Sequence, residues 1–296
     1  MDRGRPAVVR TSRAIDLATH PEVYTIGRIS TEFFLRGFEV IGQANDDVLG
    51  GAILITMLGD ALANRRGNEP MGIRELARRL DIPFETVRRQ VHKLVRKGAC
   101  RLEDGGVCLS RATLRSPRTN AMLRKIYLEA VRMLDVLRRI KIGHFKPPRS
   151  SETPHALNRE QTIVVIASIR VLLVAMKVLR GFFDGDLMTG LVFTAIRAAN
   201  VKHITNIAPG ANREILPDSD RRPVSMMAIS NSMKLPYETI RRHTAKLIKQ
   251  GKCVRVGRNG LIVPAAAYRR MTLEAGTVVQ LVFDFMDELR AAGIKV

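Results

Sequence analysis

Residues 82–89 read Ile-Pro-Phe-Glu-Thr-Val-Arg-Arg, and residues 235–242 read Leu-Pro-Tyr-Glu-Thr-Ile-Arg-Arg. At the same spacing, further identical pairs follow at Lys93 and Lys246, Leu94 and Leu247, Gly98 and Gly251, and Cys100 and Cys253. A match over about twenty positions is very improbable by chance, and self-similarity at a fixed spacing is the signature of a repeated unit. The chain therefore contains two copies of one unit.

The similarity extends outward more weakly. Upstream, residues 47–64 resemble residues 186–200, with Gly51 facing Gly190. Downstream, four identical pairs follow at one spacing. They are Asp135 and Asp287, Leu137 and Leu289, Arg138 and Arg290, and Ile142 and Ile294. Each copy predicts the order helix, helix, helix-turn-helix, hairpin and long helix. The second copy adds a loop at residues 201–222 that is rich in Pro, Asn and Asp.

This organisation predicts the domains. We expect a basic N-terminal tail at residues 1–20 and a first repeat at 21–143, with its core at 71–112. A Pro- and Ser-rich linker is expected at 144–158, since such composition is typical of linkers. The second repeat is expected at 159–296, with its core at 223–266.

Residues 73–98 have the pattern of a helix-turn-helix. A first apolar face at helical spacing is formed by Ile73, Leu76, Ala77 and Leu80. Pro83 then predicts a break, because the residue before proline is driven out of the α region and proline suits the start of a new helix. A second apolar face, before the terminating Gly98, is formed by Val87, Val91 and Leu94.

The polar face of the second helix is strongly basic in both copies. In the first copy this face carries Arg88, Arg89, His92, Lys93, Arg96 and Lys97. In the second copy it carries Arg241, Arg242, His243, Lys246 and Lys249. One basic face is usually only a solvated surface. Because the same face occurs twice after the same break, we interpret it as a recognition helix that enters the DNA major groove.

A hairpin is predicted after each recognition helix. The first joins residues 100–103 to 107–110, and the second joins 253–256 to 261–264 through Asn259-Gly260, a strong hairpin signal. Arg258 at the second tip is expected to reach the minor groove or a phosphate. The first tip is acidic, at Glu103 and Asp104, so we expect the two copies to bind DNA unequally.

The charge limits the class of partner. The 296 residues carry a net charge of +21, which favours a polyanion because phosphate neutralisation supplies most nucleic-acid affinity. The basic N-terminus lacks the apolar core of a signal peptide, so a cytoplasmic, nucleoid-associated protein is expected. Arg170 and Lys177 interrupt the most apolar stretch, residues 162–179, which we interpret as a buried helix and not a membrane span. We attribute the other apolar helices to core packing, with a ligand pocket or dimer interface as the alternative.

Nothing in the sequence indicates catalysis. The six histidines are scattered, and no His, Asp or Glu group has metal-ligand spacing. Cys100 and Cys253 occupy matched strand positions and are interpreted as small buried apolar residues, while the sparse cysteines fit a reducing compartment. We therefore predict no enzyme activity, no cofactor and no metal site.

The segment from Ile73 to Val107 resembles the core of bacterial winged helix-turn-helix transcription regulators of the GntR, IclR and MarR types. The resemblance implies a mainly α fold with short β-hairpin wings, here as two tandem repeats. It implies base contacts at Phe84, Thr86 and Arg88, with a further contact at Arg74. The second copy offers Tyr237, Thr239 and Arg241, but has Met227 in place of Arg74. The order of elements is also similar to a MarR-type subunit, which implies a fused pseudo-dimer.

These observations predict a sequence-specific regulator of transcription that binds double-stranded DNA. The expected DNA contacts are Arg74, Phe84, Thr86, Arg88, Arg89, His92, Lys93, Tyr237, Thr239, Arg241, Arg242, His243, Lys246 and Arg258. A plasmid-type replication initiator and a winged-helix scaffold that binds protein are the alternatives. The chain is expected to act as a pseudo-dimeric monomer or a homodimer, with any small-molecule effector unknown.

Overall fold

The computed structural model describes residues 23–45, 47–63, 67–147, 157–203, 216–269 and 272–296. Within these ranges the protein is mainly helical, with twelve α-helices and two small antiparallel sheets, as the sequence predicts. The N-terminal tail expected at 1–20 lies outside the described residues. So do residues 148–156 of the expected linker and residues 204–215 of the expected loop.

The first half contains two long helices, a short pair, a hairpin and a further long helix. Its elements are α1 (Val23–Asn45), α2 (Val48–Ala63), α3 (Ile73–Leu80), α4 (Phe84–Arg96), β1 (Cys100–Glu103), β2 (Gly106–Leu109), α5 (Arg111–Leu114) and α6 (Pro117–Arg139). We refer to α3, α4, β1 and β2 as the first unit.

The second half repeats this order, with one added strand and a 3-10 turn at Asp218–Asp220. Its elements are α7 (Arg159–Phe182), α8 (Leu187–Val201), β3 (Val224–Ser225), α9 (Met226–Met233), α10 (Tyr237–Lys249), β4 (Val254–Val256), β5 (Gly260–Ile262), α11 (Ala265–Arg269) and α12 (Thr272–Ala291). We refer to β3, α9, α10, β4 and β5 as the second unit.

Both predicted hairpins are present. In the first, Cys100 pairs with Leu109 and Glu103 with Gly106, around the expected turn. In the second, β4 pairs antiparallel with β5 from Val254 to Val256. The strand β3, which was not predicted, adds to β5 and makes a three-stranded sheet. The first half has only an isolated bridge, Met71 to Val107, at the corresponding place.

The larger hydrophobic core draws on both halves. It extends from Ile26 in α1 to Val296 and includes buried residues of α2, α4, α6, α7 and α12. A smaller core joins α8 to α9, α10 and β5 in the second unit. The main core therefore crosses the boundary that the sequence suggests between the two repeats.

Contacts between the halves occur in exchanged pairs. The helix α1 packs on α6 and α12, and its counterpart α7 packs on α12 and α6. Likewise α2 packs on α7, and its counterpart α8 packs on α1. When element i of one copy contacts element j of the other and the reverse also holds, the copies are related as subunits of a two-fold dimer.

The matched glycines lie where consecutive helices approach closely. A Cβ on Gly51 of α2 would lie 2.5 Å from the carbonyl oxygen of Ile41 in α1. A Cβ on Gly190 of α8 would lie 2.7 Å from Cγ of Leu179 in α7. The weak upstream similarity therefore records the same helix crossing in both halves.

The helix α7 is the one described helix that is long and apolar enough to cross a membrane by length and composition. Half of its most apolar window is buried inside the protein. Residues such as Val164, Val165 and Leu172 are fully buried there between α2, α6 and α12. This burial agrees with the interpretation of residues 162–179 as a buried helix.

Candidate nucleic-acid interface

The two short helix pairs turn at the same position in the same conformation. Asp81, after α3, and Lys234, after α9, both have left-handed backbones, with φ values of 54° and 53°. Non-glycine residues rarely adopt this conformation. Pro83 and Pro236 then directly precede the next helix, at the break that the sequence predicts. The repeat therefore preserves an unusual backbone geometry as well as residue types.

The inner faces of α4 and α10 seat these helices on their units. Val87, Val91 and Leu94 are buried in α4, as predicted. Burial of each such side chain contributes about 1.5–3 kcal/mol. The corresponding residues of α10 are Ile240, Thr244 and Leu247. The Thr244 hydroxyl is buried and has no hydrogen-bond partner among the described residues, so the inner face of α10 carries an unsatisfied polar group.

The outer faces of both helices are exposed and basic. The exposed cations and histidine of α4 are Arg88, Arg89, His92, Lys93 and Arg96. The exposed cations of α10 are Arg241, Arg242, Lys246 and Lys249. Each helix therefore presents a positively charged outer surface, as the sequence predicts.

The leading arginines of the two faces are held in the same way. Nη2 of Arg88 lies 2.8 Å from Glu85, and Nη2 of Arg241 lies 2.6 Å from Glu238. The hydrogen bond from Arg241 lowers the pKa of Glu238, so this carboxylate is ionised at neutral pH. Exposed pairs of this spacing contribute little to stability, because solvent screens the two charges. Each glutamate therefore orients its arginine but gives it up readily to a stronger anionic partner.

The aromatic residues at the start of each helix are exposed as well. Phe84 is 38% exposed and Tyr237 is 40% exposed. The guanidinium of Arg74 lies over the Phe84 ring, 5.8 Å from its centroid. The corresponding Met227 is 54% exposed and supplies no cation. Thr86 and Thr239 are half-buried, so less of their surface is available to a partner.

The prediction that His243 points away from the core is wrong. Its side chain is buried, and its Nδ1 lies 2.8 Å from Oγ1 of Thr189. That hydroxyl donates its one proton to Asp186 at 2.7 Å, so Nδ1 of His243 must donate to it. Burial, as the largest influence, lowers the pKa of His243 and favours the neutral ring.

The spacing of α10 contains a signal for this burial. Ile240, His243, Thr244 and Leu247 are spaced i, i+3, i+4 and i+7, which is the pattern of one buried helix stripe. His243 corresponds in the repeat to Gln90, which is half-buried and not part of the exposed basic face.

A carboxylate at the start of α2 or α8 lies near a lysine of α4 or α10, respectively, in each half. Lys246 lies 2.7 Å from Asp186, whereas Lys93 lies 3.9 Å from Asp47. Burial opposes ionisation of Asp186, but hydrogen bonds from Lys246 and Thr189 prevail and lower its pKa to about 2. Lys246 is therefore the more firmly held of the two predicted DNA contacts.

The two hairpin tips differ in charge. Arg258 is exposed in the turn between β4 and β5, as predicted. In the first hairpin the exposed Arg101 is paired with Glu103 at 2.8 Å. Cys100 and Cys253 are buried, and burial raises the pKa of their thiols to about 12 and about 11. These values agree with small buried residues and not with nucleophiles.

Each unit is joined to the opposite half by one contact that the sequence did not predict. Arg180 of α7 donates to the backbone carbonyl of Asp81, in the turn between α3 and α4. Lys234, at the equivalent position between α9 and α10, lies 2.8 Å from Glu39 of α1. We call these contacts the turn clamps. Their partners are far apart in sequence, so local patterns carry no signal for them.

The described residues contain no group of three or more His, Cys, Asp or Glu side chains that could hold a metal ion. The chain matches no protein-family model, and no curated protein or solved structure shows significant similarity to it.

Proposed function

We propose that this chain is a sequence-specific regulator of transcription, built as two winged helix-turn-helix repeats that bind double-stranded DNA. The observation that supports it best is the matched pair Arg88 and Arg241. Each is exposed, lies in the first turns of a basic helix and follows the same left-handed turn. Arginine is the residue that most often reads guanine in the major groove.

The exposed residues divide into two roles in this proposal. Residues near the helix starts, which include Phe84, Arg88, Tyr237 and Arg241, contact base edges. The cations farther along each helix, which include Arg89, Lys93, Arg242 and Lys246, contact phosphates and fix the register on the duplex. Arg258 reaches the minor groove or the backbone. His243 has no place in the interface because it is buried.

The exchanged packing of the halves supports a pseudo-dimeric reader. The two halves are related as the subunits of a two-fold dimer are, through the core that their long helices share and through the two turn clamps. The symmetry of a DNA-binding protein is mirrored in its site. We therefore expect an inverted repeat with imperfect half-sites, since the two units carry different residues at Arg74 and Met227.

Selection of bound duplexes from a random DNA pool, at a stated salt concentration, tests this function. Enrichment of an inverted repeat is the expected result. Enrichment of direct repeats would favour a replication initiator instead. The regulator function is excluded if no motif is enriched and binding disappears at moderate salt, because the basic faces would then hold only phosphate.

A further inference from the structure

A cavity of about 840 Å³ lies between α1 of the first half and α8 and α9 of the second. Its volume is within the range of sites that enclose a small molecule. Ile29, Leu35 and Met233 are among its apolar lining residues, and each is half-buried, so part of its surface is accessible from the cavity. None of the residues proposed to contact DNA lines this cavity.

The fold does not impose this cavity, because the equivalent interface in the other half is closed. There α2 lies against α7 so closely that a Cβ on Gly59 would be 3.2 Å from Cγ2 of Ile169. The repeat places Ala198 of α8 at the position of Gly59, and Ala198 lines the cavity. The space between α1 and α8 is therefore a departure from the symmetry of the two halves.

The charges around the cavity favour an anion. Its lining contains four cations and two carboxylates, namely Arg28, Arg36, Lys202, Lys234, Glu32 and Glu39. Glu32 is paired with Arg36, and Glu39 is paired with Lys234. The ammonium of Lys202 is exposed and makes no hydrogen bond or ion pair with any residue that the structure describes. A lone ammonium beside an apolar surface suits a ligand with one negative end.

We propose that this cavity binds an amphipathic monoanion, an acyl or aryl carboxylate. The apolar body of the ligand packs on Ile29, Leu35 and Met233, and its carboxylate pairs with Lys202. Met233 and Lys234, at the turn between α9 and α10, line the same cavity. A bound ligand would therefore touch the second unit directly.

Fluorescence titration with 8-anilinonaphthalene-1-sulfonate, an apolar aryl anion, tests the proposal on the full chain without DNA. The chain contains no tryptophan, so protein emission does not interfere. We expect saturable binding of one probe per chain, and displacement of the probe by decanoate. Decyltrimethylammonium has the same tail with the opposite charge, and we expect it to displace the probe poorly.

Three variants assign the site. Lys202→Glu should weaken decanoate binding about tenfold, through loss of the ion pair and new repulsion. Lys125→Glu, an equal charge change at an exposed lysine of α6 outside the cavity, should leave binding unchanged. Ala198→Phe should abolish binding by filling the space, while circular dichroism checks that the helices are retained.

Three results would overturn the proposal. These are the absence of saturable probe binding, equal displacement by the cationic and anionic chains, and identical decanoate affinity in Lys202→Glu and the native chain. Because no DNA is present, these results leave the proposed DNA-binding function untouched. Loss of DNA binding in the native chain would equally leave the ligand site standing.

Discussion

The first and second units have similar backbones but differ in the polar groups on the inner faces of α4 and α10. In the first, the inner face of α4 is an apolar stripe that includes Val91. In the second, the inner face of α10 carries Thr244 and His243. His243 is hydrogen-bonded to Thr189, which is hydrogen-bonded in turn to Asp186. The comparison shows that the repeat has kept the turn and the outer basic face while the inner chemistry has diverged.

The largest expected effect separates the two helix crossings. Gly51→Ala should lower the free energy of unfolding by about 3 kcal/mol, because its Cβ would meet a backbone oxygen that cannot move aside. Gly190→Ala should cost only about 1 kcal/mol, since the side chains of Leu179 and Phe183 can shift. Urea unfolding followed by circular dichroism measures both. Gly181→Ala, with nothing within 4 Å of the new Cβ, is the control and should raise the free energy of unfolding by up to about 1 kcal/mol, since alanine has the higher helix propensity. An equal loss at both crossings would contradict the distinction.

DNA binding should also differ between the units. Arg241→Ala should weaken binding to the selected duplex by about 2 kcal/mol, and Arg88→Ala by less, because the acidic first hairpin supports its unit poorly. Fluorescence anisotropy at fixed salt measures the two affinities. Arg132→Ala, at an exposed arginine of α6, serves as the control. A greater loss for Arg88→Ala would make the first unit the principal reader.

Exchanging the matched buried residues tests the inner faces. Thr244→Val should raise the free energy of unfolding by about 1 kcal/mol, since it removes a buried hydroxyl that has no partner. Val91→Thr should lower it by about 1–2 kcal/mol, because it places the same unsatisfied group in the first unit. Urea unfolding measures both. If Thr244→Val lowers the free energy of unfolding instead, the hydroxyl makes a hydrogen bond in solution, and the proposed difference between the inner faces is wrong.

The smallest expected effect is a dependence on pH confined to the second unit. His243 faces Asp186 and Thr189 from α8, with Arg242 and Lys246 beside it on α10, and burial lowers its pKa below the usual 6.5. The unfolded chain therefore binds a proton more readily, so stability should be full above pH 6.5 and decline as the pH falls below it. His243→Gln, which installs the residue type of Gln90, should remove this part of the dependence. Urea unfolding across that range measures it, and an unchanged slope in the variant would assign the dependence to other groups.

Local signals in the sequence were sufficient to predict the helix pairs and hairpins of the two units. The prolines at 83 and 236 marked both turns, and Asn259-Gly260 marked the second hairpin. The long helix expected after the first hairpin is present at Pro117–Arg139. These features depend on the preferences of a few neighbouring residues, which a sequence displays directly.

Features that depend on distant partners were missed. The strand β3 has two residues and exists because Val224 pairs with Leu261. His243 is buried because it meets Thr189, 54 positions away. The cavity beside α8 reflects the spacing of two helices from different halves. Only the stripe of four residues on α10 offered a local hint, and the basic neighbours of His243 concealed it.

The shared core has a consequence for a cell that contains few copies of the protein. A regulator assembled from two separate chains loses its paired form as the chain becomes scarce, because association depends on concentration. Here the partner of each half is covalently attached and enclosed in the same core, so its effective concentration is constant. The first and second units are thus paired whatever the number of protein copies in the cell. Occupancy of a DNA site should rise with the first power of protein concentration, even at a few molecules per cell.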